Sequence, residues 1–127
     1  MTFWVAALLN HMVQQLALLD GVFHALSDPT RRAMVSALAS GEHKIGDLAA
    51  PFDMSFAAVS KHVRVLEAAG LVRRRIDGRA HLCALDAAPL AAANDWLSRY
   101  ERFWCARLDT LEALLRLRTK KPKGGKT

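Results

Sequence analysis

Cationic side chains that could bind an anion are concentrated between Ser55 and Arg79. The stretch "SFAAVSKHVRVLEAAGLVRRR" at 55–75 combines an apolar stripe, a stripe of small and polar residues, and three consecutive arginines. A segment that only packs has no need of the arginines, and a segment that is only solvated has no need of the apolar stripe. The pattern therefore indicates a surface that binds something outside the protein.

The elements that must position these side chains follow from apolar spacing and helix caps. Leucines at helical spacing predict a first helix that ends near "ALSDP". Asp28 before Pro29, with Gly41 after "VSALAS", marks the start and the end of a second helix. The segment "KIGDLAAPF" predicts a short third helix that Pro51 stops.

A fourth helix is predicted to begin after Ser55, a residue type that caps helices well. At about 100° per residue, Val59, Val63 and Leu66 fall on one side of this helix. The opposite side is small, polar and cationic, and consists of Ala57, Ser60, Lys61, Arg64 and Ala68.

A hairpin and a long helix complete the predicted order. The segments "VRRRI" and "RAHLCAL" flank a turn at Asp77-Gly78 and predict a two-stranded hairpin. From Pro89 to about Arg118, large apolar residues at steps of three and four predict one long helix that needs a packing partner. The predicted fold class is mainly α with a small β-hairpin.

The length and net charge of the chain limit the number of domains and the kinds of partner it can have. A chain of 127 residues predicts a single domain, 1–118, followed by a disordered basic tail at 119–127. The net charge of +6 attracts phosphates, but also membrane surfaces and acidic proteins, so charge alone does not identify the partner. Cys83 and Cys105, without a secretory signal, predict reduced thiols in the cytoplasm.

The amino end, "MTFWVAALLNHM", is apolar but lacks the basic start of a signal peptide and is shorter than the roughly 20 residues of a membrane span. We therefore expect neither, and no membrane partner. Trp4, Leu8, Met12, Leu16 and Leu19 continue one helical face, which favours an added packing segment of a dimer. The alternative is that translation starts at Met12.

The predicted order of elements is that of a winged helix-turn-helix, in which the helix after the turn enters the DNA major groove and the hairpin contacts the backbone. Small residues let a helix lie deep in the groove, and long donors then reach base edges or phosphates. The predicted DNA-binding residues are Ser55, Phe56, Ala57, Ala58, Ser60, Lys61, His62, Arg64, Arg73, Arg74, Arg75 and Arg79.

The segments "ALSDPTRRAMVSAL", "SKHVRVLEAAGLV" and "WLSRYERFW" make the chain similar to the ArsR/SmtB family of bacterial winged-helix repressors over roughly residues 16–115. The resemblance implies a homodimer, held by long first and last helices, that binds an inverted repeat in double-stranded operator DNA and blocks transcription. The implied dimer interface is formed by Leu16, Leu19, Phe23, Leu97, Tyr100, Trp104, Leu108, Leu111 and Leu115.

Many members of that family sense metal, and here the sequence departs from the family pattern. Its cysteine-bearing branch has a Cys-x-Cys motif where this chain has "EHKIGDLAA", and its zinc branch needs histidines on the last helix, whereas 87–118 contain none. The chain resembles the metal-free branch, for which we predict no metal site and no cofactor. The effector is unknown.

Several alternatives stay open from sequence alone. His62 falls nearer the core side, so packing competes with DNA contact. Arg31 and Arg32 lie in the first turn of their helix and could contact phosphate or a neighbouring acid or carbonyl. A thiol- or metal-responsive repressor using Cys83 or Cys105, and a protein-interaction module without DNA binding, are the competing functions. No catalytic arrangement is recognisable, so we expect no enzyme.

Overall fold

The helices begin where the sequence places caps. The Asp28 carboxylate accepts a hydrogen bond of 3.0 Å from the Arg31 N–H and thereby starts helix α2 (Pro29–Leu38). Ser55 does the same for helix α4 (Phe56–Ala68), its Oγ accepting a bond of 3.1 Å from the Ala58 N–H. Both predicted helix starts are confirmed.

The structure, a computed structural model, describes residues 2–124, with side chains as far as residue 119. The chain divides into two compact units, one up to Ala93 and one from Asn94 onward. The remaining elements, in chain order, are α1 (Thr2–Leu26), β1 (His43–Lys44), α3 (Ile45–Ala49), β2 (Val72–Asp77), β3 (Ala80–Leu85), α5 (Ala88–Ser98) and α6 (Glu101–Gly124).

The three strands form an antiparallel sheet in the order β1-β3-β2. The predicted hairpin is present, but Asp77 pairs with Ala80, so the two-residue loop is Gly78–Arg79, one residue later than expected. Gly78 has a φ of +63°, a conformation that glycine adopts without strain. Strand β1 was not predicted, because two residues are too few to show an alternation.

The core of the first unit lies beneath α4. Val59, Val63 and Leu66 of that helix are fully buried, as the 100° spacing predicts. They belong to one cluster with residues from α1, α2, α3 and the sheet, among them Ala25, Met34, Leu38, Leu48, Leu71 and Cys83. The mainly α fold with a small sheet is confirmed, and this core fixes the direction in which the other faces of α4 point.

The long helix predicted from Pro89 to Arg118 is wrong in one respect, because it is interrupted between Ser98 and Glu101. The Ser98 hydroxyl donates to the Asp95 carbonyl at 2.6 Å, and the Tyr100 N–H bonds the Leu97 carbonyl three residues back. Such side-chain competition and three-residue bonds tighten and end an α-helix.

Helix α6 runs on to Gly124 and so includes the first part of the segment 119–127. The disordered basic tail over 119–127 stays a prediction, and residues 125–127 lie outside the described residues.

Helix α1 is unusual in how little of it is buried. Val22 and Ala25 lie in the core, whereas most of the large apolar side chains from Phe3 to Leu16 are more than half exposed in a single copy of the chain. Within residues 2–124, α1 is the one helix long and apolar enough, by length and composition, to cross a membrane. These exposed apolar side chains indicate that the first part of α1 packs against another molecule.

Candidate nucleic-acid interface

The outer face of α4 is small and cationic. Ala57, Lys61, Arg64 and Ala68 follow one another at steps of four, three and four, and all four are exposed. Ala58 and Ser60 are half-buried at the edge of this face. No large side chain separates the two cations, so a groove could approach the helix closely.

The amino end of α4 adds a polar and an aromatic group to that face. Ser55 is exposed even though its hydroxyl oxygen caps the helix, and the Phe56 ring, also exposed, has no aromatic contact among the described side chains. The structure thus places both predicted residues where an external partner could contact them.

Three cations, two on this face and one at the hairpin tip, are not engaged within the described part of the chain. Lys61 and Arg64 on α4, and Arg79 at the hairpin tip, are exposed and make no hydrogen bond or ion pair within the described part of the chain. An unpaired guanidinium or ammonium is free to donate to a phosphate or a base edge.

Two wing arginines are paired on the outward side of the sheet. Arg73 bonds Asp86, with its Nη2 at 2.9 Å from the carboxylate, and Arg75 makes a two-pronged pair with Glu42 at 2.8 and 3.0 Å. Both arginines are exposed, so an incoming phosphate would compete with the carboxylates. These acids were not predicted, because they lie 13 and 33 positions from the arginines along the chain.

The ion pair with Arg75 changes the pKa of the Glu42 carboxyl group. The hydrogen bond from Arg75 holds the pKa of Glu42 below its usual range, and burial opposes this effect without cancelling it. Because the folded pKa is depressed, the stabilisation by this pair is present above the usual pKa of a glutamate and disappears as the pH falls through the lowered value. The pair is intact at neutral pH.

The Arg74 side chain lies on the opposite face of the sheet from Arg73 and Arg75. It alternates with its outward neighbours, pairs in register with the buried Cys83, and bonds the Glu67 carboxylate near the end of α4 at 2.6 Å. This half-buried arginine ties the hairpin to α4, and its placement does not favour the predicted phosphate contact. The signal was available in sequence, since Arg74 is in phase with the apolar Val72.

His62 lies on the inward flank of α4 and joins a half-buried polar network. Its Nδ1 is 3.2 Å from Nη1 of Arg31, which is only 9% exposed, and 3.9 Å from the Asp28 carboxylate. The hydrogen bond from the Arg31 N–H is the main reason that the pKa of Asp28 lies below its usual range. His62 therefore connects the inward flank of α4 to Arg31 of α2.

The two arginines of "DPTRR" cap the carboxyl end of α1. Arg31 donates through Nε to the Ala25 carbonyl at 2.7 Å and through Nη2 to the His24 carbonyl at 3.1 Å, while Arg32 donates to the Leu26 carbonyl at 2.7 Å. These carbonyls have no partner within the helix. Of the two options left open by the sequence, the intramolecular tie is the one observed.

The thiols and histidines do not assemble a ligand set. Cys83 is fully buried, and burial raises the pKa of its thiol, which keeps it protonated and a poor metal ligand. Cys105 on α6 is half-buried. Across the side chains that the structure describes, no group of three or more histidine, cysteine or acidic residues could hold a metal ion.

The opposite placements of Arg79 and Arg74 yield a paired prediction for DNA binding. Arg79→Ala should reduce the slope of log K against log salt by about one for each phosphate that Arg79 neutralises. Arg74→Ala removes the same charge but should leave the slope unchanged, because its guanidinium is committed to Glu67. Titration of a fluorescent duplex at several salt concentrations measures both slopes. Equal slopes for the two variants would show that Arg79 does not contact a DNA phosphate.

The helix order, the three-stranded sheet and the exposed cationic face of α4 define a winged helix-turn-helix transcriptional regulator. Residues 28–74 match the family described as "Bacterial regulatory protein, arsR family". The chain belongs to this family.

Its similarity to individual relatives extends further along the chain. It is 42% identical over 89 residues to the HTH-type transcriptional regulator Rv2034 of Mycobacterium tuberculosis, covering 70% of this chain and 80% of that protein. It is 29% identical over 82 residues to the transcriptional repressor SdpR of Bacillus subtilis, covering 65% and 91%. The crystal structure of an ArsR family transcriptional regulator superposes with a TM-score of 0.65 at 39% identity, covering 69% and 91%.

Proposed function

We propose that this protein is a homodimeric repressor that binds an inverted repeat in double-stranded operator DNA. The observation that carries the proposal is the cationic set Lys61, Arg64 and Arg79, unpaired within the described chain and carried by a small-residue helix face and the adjacent wing tip. Repression is the activity named for one of the relatives. In this proposal the protein acts in the cytoplasm and has no catalytic role.

The residues divide between two tasks in this proposal. Lys61 and Arg64 reach base edges in the major groove, with Phe56 against a thymine methyl, because long donors on a small-residue helix can enter the groove. Arg79 binds backbone phosphate at the wing tip. Arg73 and Arg75 exchange their carboxylates for phosphates once DNA is bound, since their pairs are exposed to solvent.

Dimerisation is supported by apolar side chains that a single copy leaves exposed. In the first unit these include Leu16 and Phe23, and in the second unit Tyr100, Trp104, Leu108, Leu111 and Leu115. Exposed apolar patches of this extent mark association surfaces. Two copies present two α4 helices, which is what an inverted repeat requires.

The proposed function is tested by fluorescence anisotropy with the DNA upstream of the protein's own gene and with a shuffled duplex of equal length. We expect binding to the upstream DNA at least a hundredfold tighter than to the shuffled duplex at physiological salt. Equal affinity for both would overturn specific binding. Repeating the titration with zinc and with a thiol oxidant tests the metal-free assignment, because release by either would make Cys83 or Cys105 a sensor.

A further inference from the structure

A cavity lies between the exposed side of α2 and the segment that runs from β1 through α3 to the turn after it. Its volume is about 300 Å³, at the lower end of the range of small-molecule sites. All of its lining residues belong to the first unit, and none is among the predicted DNA-binding or dimer-interface residues. A ligand in this cavity would therefore be separate from both proposed interfaces.

Most of the cavity lining is apolar. Ala33 and Ala37 lie one turn apart on α2, and their small side chains leave space that larger ones would fill. Leu48 of α3 is buried, and Phe52 in the following turn is half-buried against the same core. Core packing thus holds these two walls in place, and the lining suits an apolar ring or a short hydrocarbon chain.

Two polar side chains, Asp47 and His43, complete the lining, and both can accept a hydrogen bond. The exposed Asp47 carboxylate makes no ion pair among the side chains that the structure describes. His43 Nε2 lies 3.0 Å from the Ala37 carbonyl oxygen. Because a carbonyl only accepts, Nε2 carries the hydrogen, which leaves Nδ1 of the neutral ring as an acceptor. Both polar groups therefore match a hydrogen-bond donor.

We propose that this cavity binds a small organic cation, an apolar ring or chain that ends in a protonated amine. The ammonium group donates to the Asp47 carboxylate and to Nδ1 of His43, and the apolar part packs against Leu48 and Phe52. Hydrogen bonds between a charged donor and a carboxylate are the strong ones, so the amine fixes the orientation of the ligand.

Anions and metal ions fit the same cavity less well. An anion would approach the Asp47 carboxylate, and the lining contains no lysine or arginine to offset the repulsion. A metal ion would have only His43 and Asp47 as ligands, whereas protein metal sites commonly use three or four. Among the described side chains, no third histidine, cysteine or acidic residue joins them in a cluster.

Asp47 also has a structural role that must be separated from ligand binding. It lies in the first turn of α3, where a carboxylate complements the helix dipole. Loss of that role would weaken every ligand of the cavity alike, because it acts through the fold. A comparison of two ligands that share a shape and differ in charge therefore isolates the contact with the amine.

The test titrates the full chain with phenethylamine and with phenethyl alcohol, which replaces the ammonium by a neutral hydroxyl. Amide chemical shifts of the isotope-labelled protein give both the dissociation constants and the location of binding. We expect phenethylamine to bind with a Kd of about 1 mM or tighter, with its largest shifts at Ala37, Leu48 and Phe52. Phenethyl alcohol should bind at least tenfold more weakly, because it lacks the charged donor.

Three variants assign the preference to Asp47. Asp47→Asn keeps the shape of the side chain and should reduce the preference for the amine to less than threefold. Asp53→Asn removes the same charge from an exposed aspartate outside the lining and should leave the preference at tenfold or more. Ala37→Leu fills the cavity and should weaken both ligands at least fivefold. Because Ala37 is exposed, circular dichroism should show unchanged helix content for this variant.

Three results would overturn the proposal: equal affinity of the wild type for amine and alcohol, shifts that map away from the cavity, and a preference that persists in Asp47→Asn. Failure of both compounds to bind at tenfold higher concentration would overturn it as well. None of these measurements involves DNA. A protein that ignores its upstream DNA can still prefer the amine, and a repressor can lack this preference, so the two proposals stand or fall separately.

Discussion

Arg64→Ala should weaken binding to the upstream operator about tenfold to a hundredfold, because a bidentate contact between an arginine and a base is worth about 1–3 kcal/mol. Arg64 lies on the exposed face of α4 with no partner among the described residues, so its whole donor set is available to DNA. Lys61→Ala should act in the same direction with a smaller loss, since an ammonium lacks the planar fork of a guanidinium. Fluorescence anisotropy on the operator measures both losses.

The shuffled duplex distinguishes base reading from charge in this experiment. If Arg64 contacts bases, Arg64→Ala loses more affinity for the operator than for the shuffled duplex. Equal losses on both would assign Arg64 to phosphate alone. Arg118→Ala, which removes one exposed cation from α6, is the matched control and should change both affinities less than twofold.

The orientation of α4 was predictable because it depends on one short-range periodicity. Once Ser55 is identified as the cap, a rotation of about 100° per residue places Val59 inward and Lys61 and Arg64 outward. The structure has the same arrangement. The buried face consists of branched aliphatic residues and the outer face of small and cationic ones, so local pattern and tertiary packing agree.

The partners of the cations were not predictable, because they come from distant parts of the chain. Arg75 pairs with Glu42 across 33 positions, and Arg31 meets His62 across 31. A run of arginines has the same sequence pattern whether its charges are free or paired. Strand β1 depends in the same way on its neighbour, since two residues become a strand only by pairing with β3.

The interruption near Ser98 escaped prediction for a different reason. The apolar steps of three and four continue through it, so periodicity alone indicates an unbroken helix. A serine hydroxyl that bonds the carbonyl three residues back competes with the backbone locally. Serine also occurs inside helices without this effect, so its presence does not decide the outcome.

Arg31→Ala should cause the largest loss of stability among these substitutions, about 3 kcal/mol, because hydrogen bonds to a charged group contribute about 1.5–3 kcal/mol and the Ala25 carbonyl loses its Arg31 donor, whereas the His24 carbonyl keeps its bonds from Ser27. Arg31 is nearly buried and donates to two carbonyls at the end of α1 as well as approaching Nδ1 of His62. Urea unfolding at a fixed protomer concentration measures the loss, since the stability of a dimer depends on concentration.

The neighbouring arginine provides the control for that experiment. Arg32→Ala removes the same side chain from an exposed position with a single carbonyl contact, so it should cost less than about 1 kcal/mol. Arg31 also joins the end of α1 to the inward flank of α4. Arg31→Ala should therefore reduce operator affinity even without urea, when the variant is folded. Equal destabilisation by the two variants, or unaltered operator affinity in Arg31→Ala, would contradict a structural link between α1 and the DNA-facing helix through this residue.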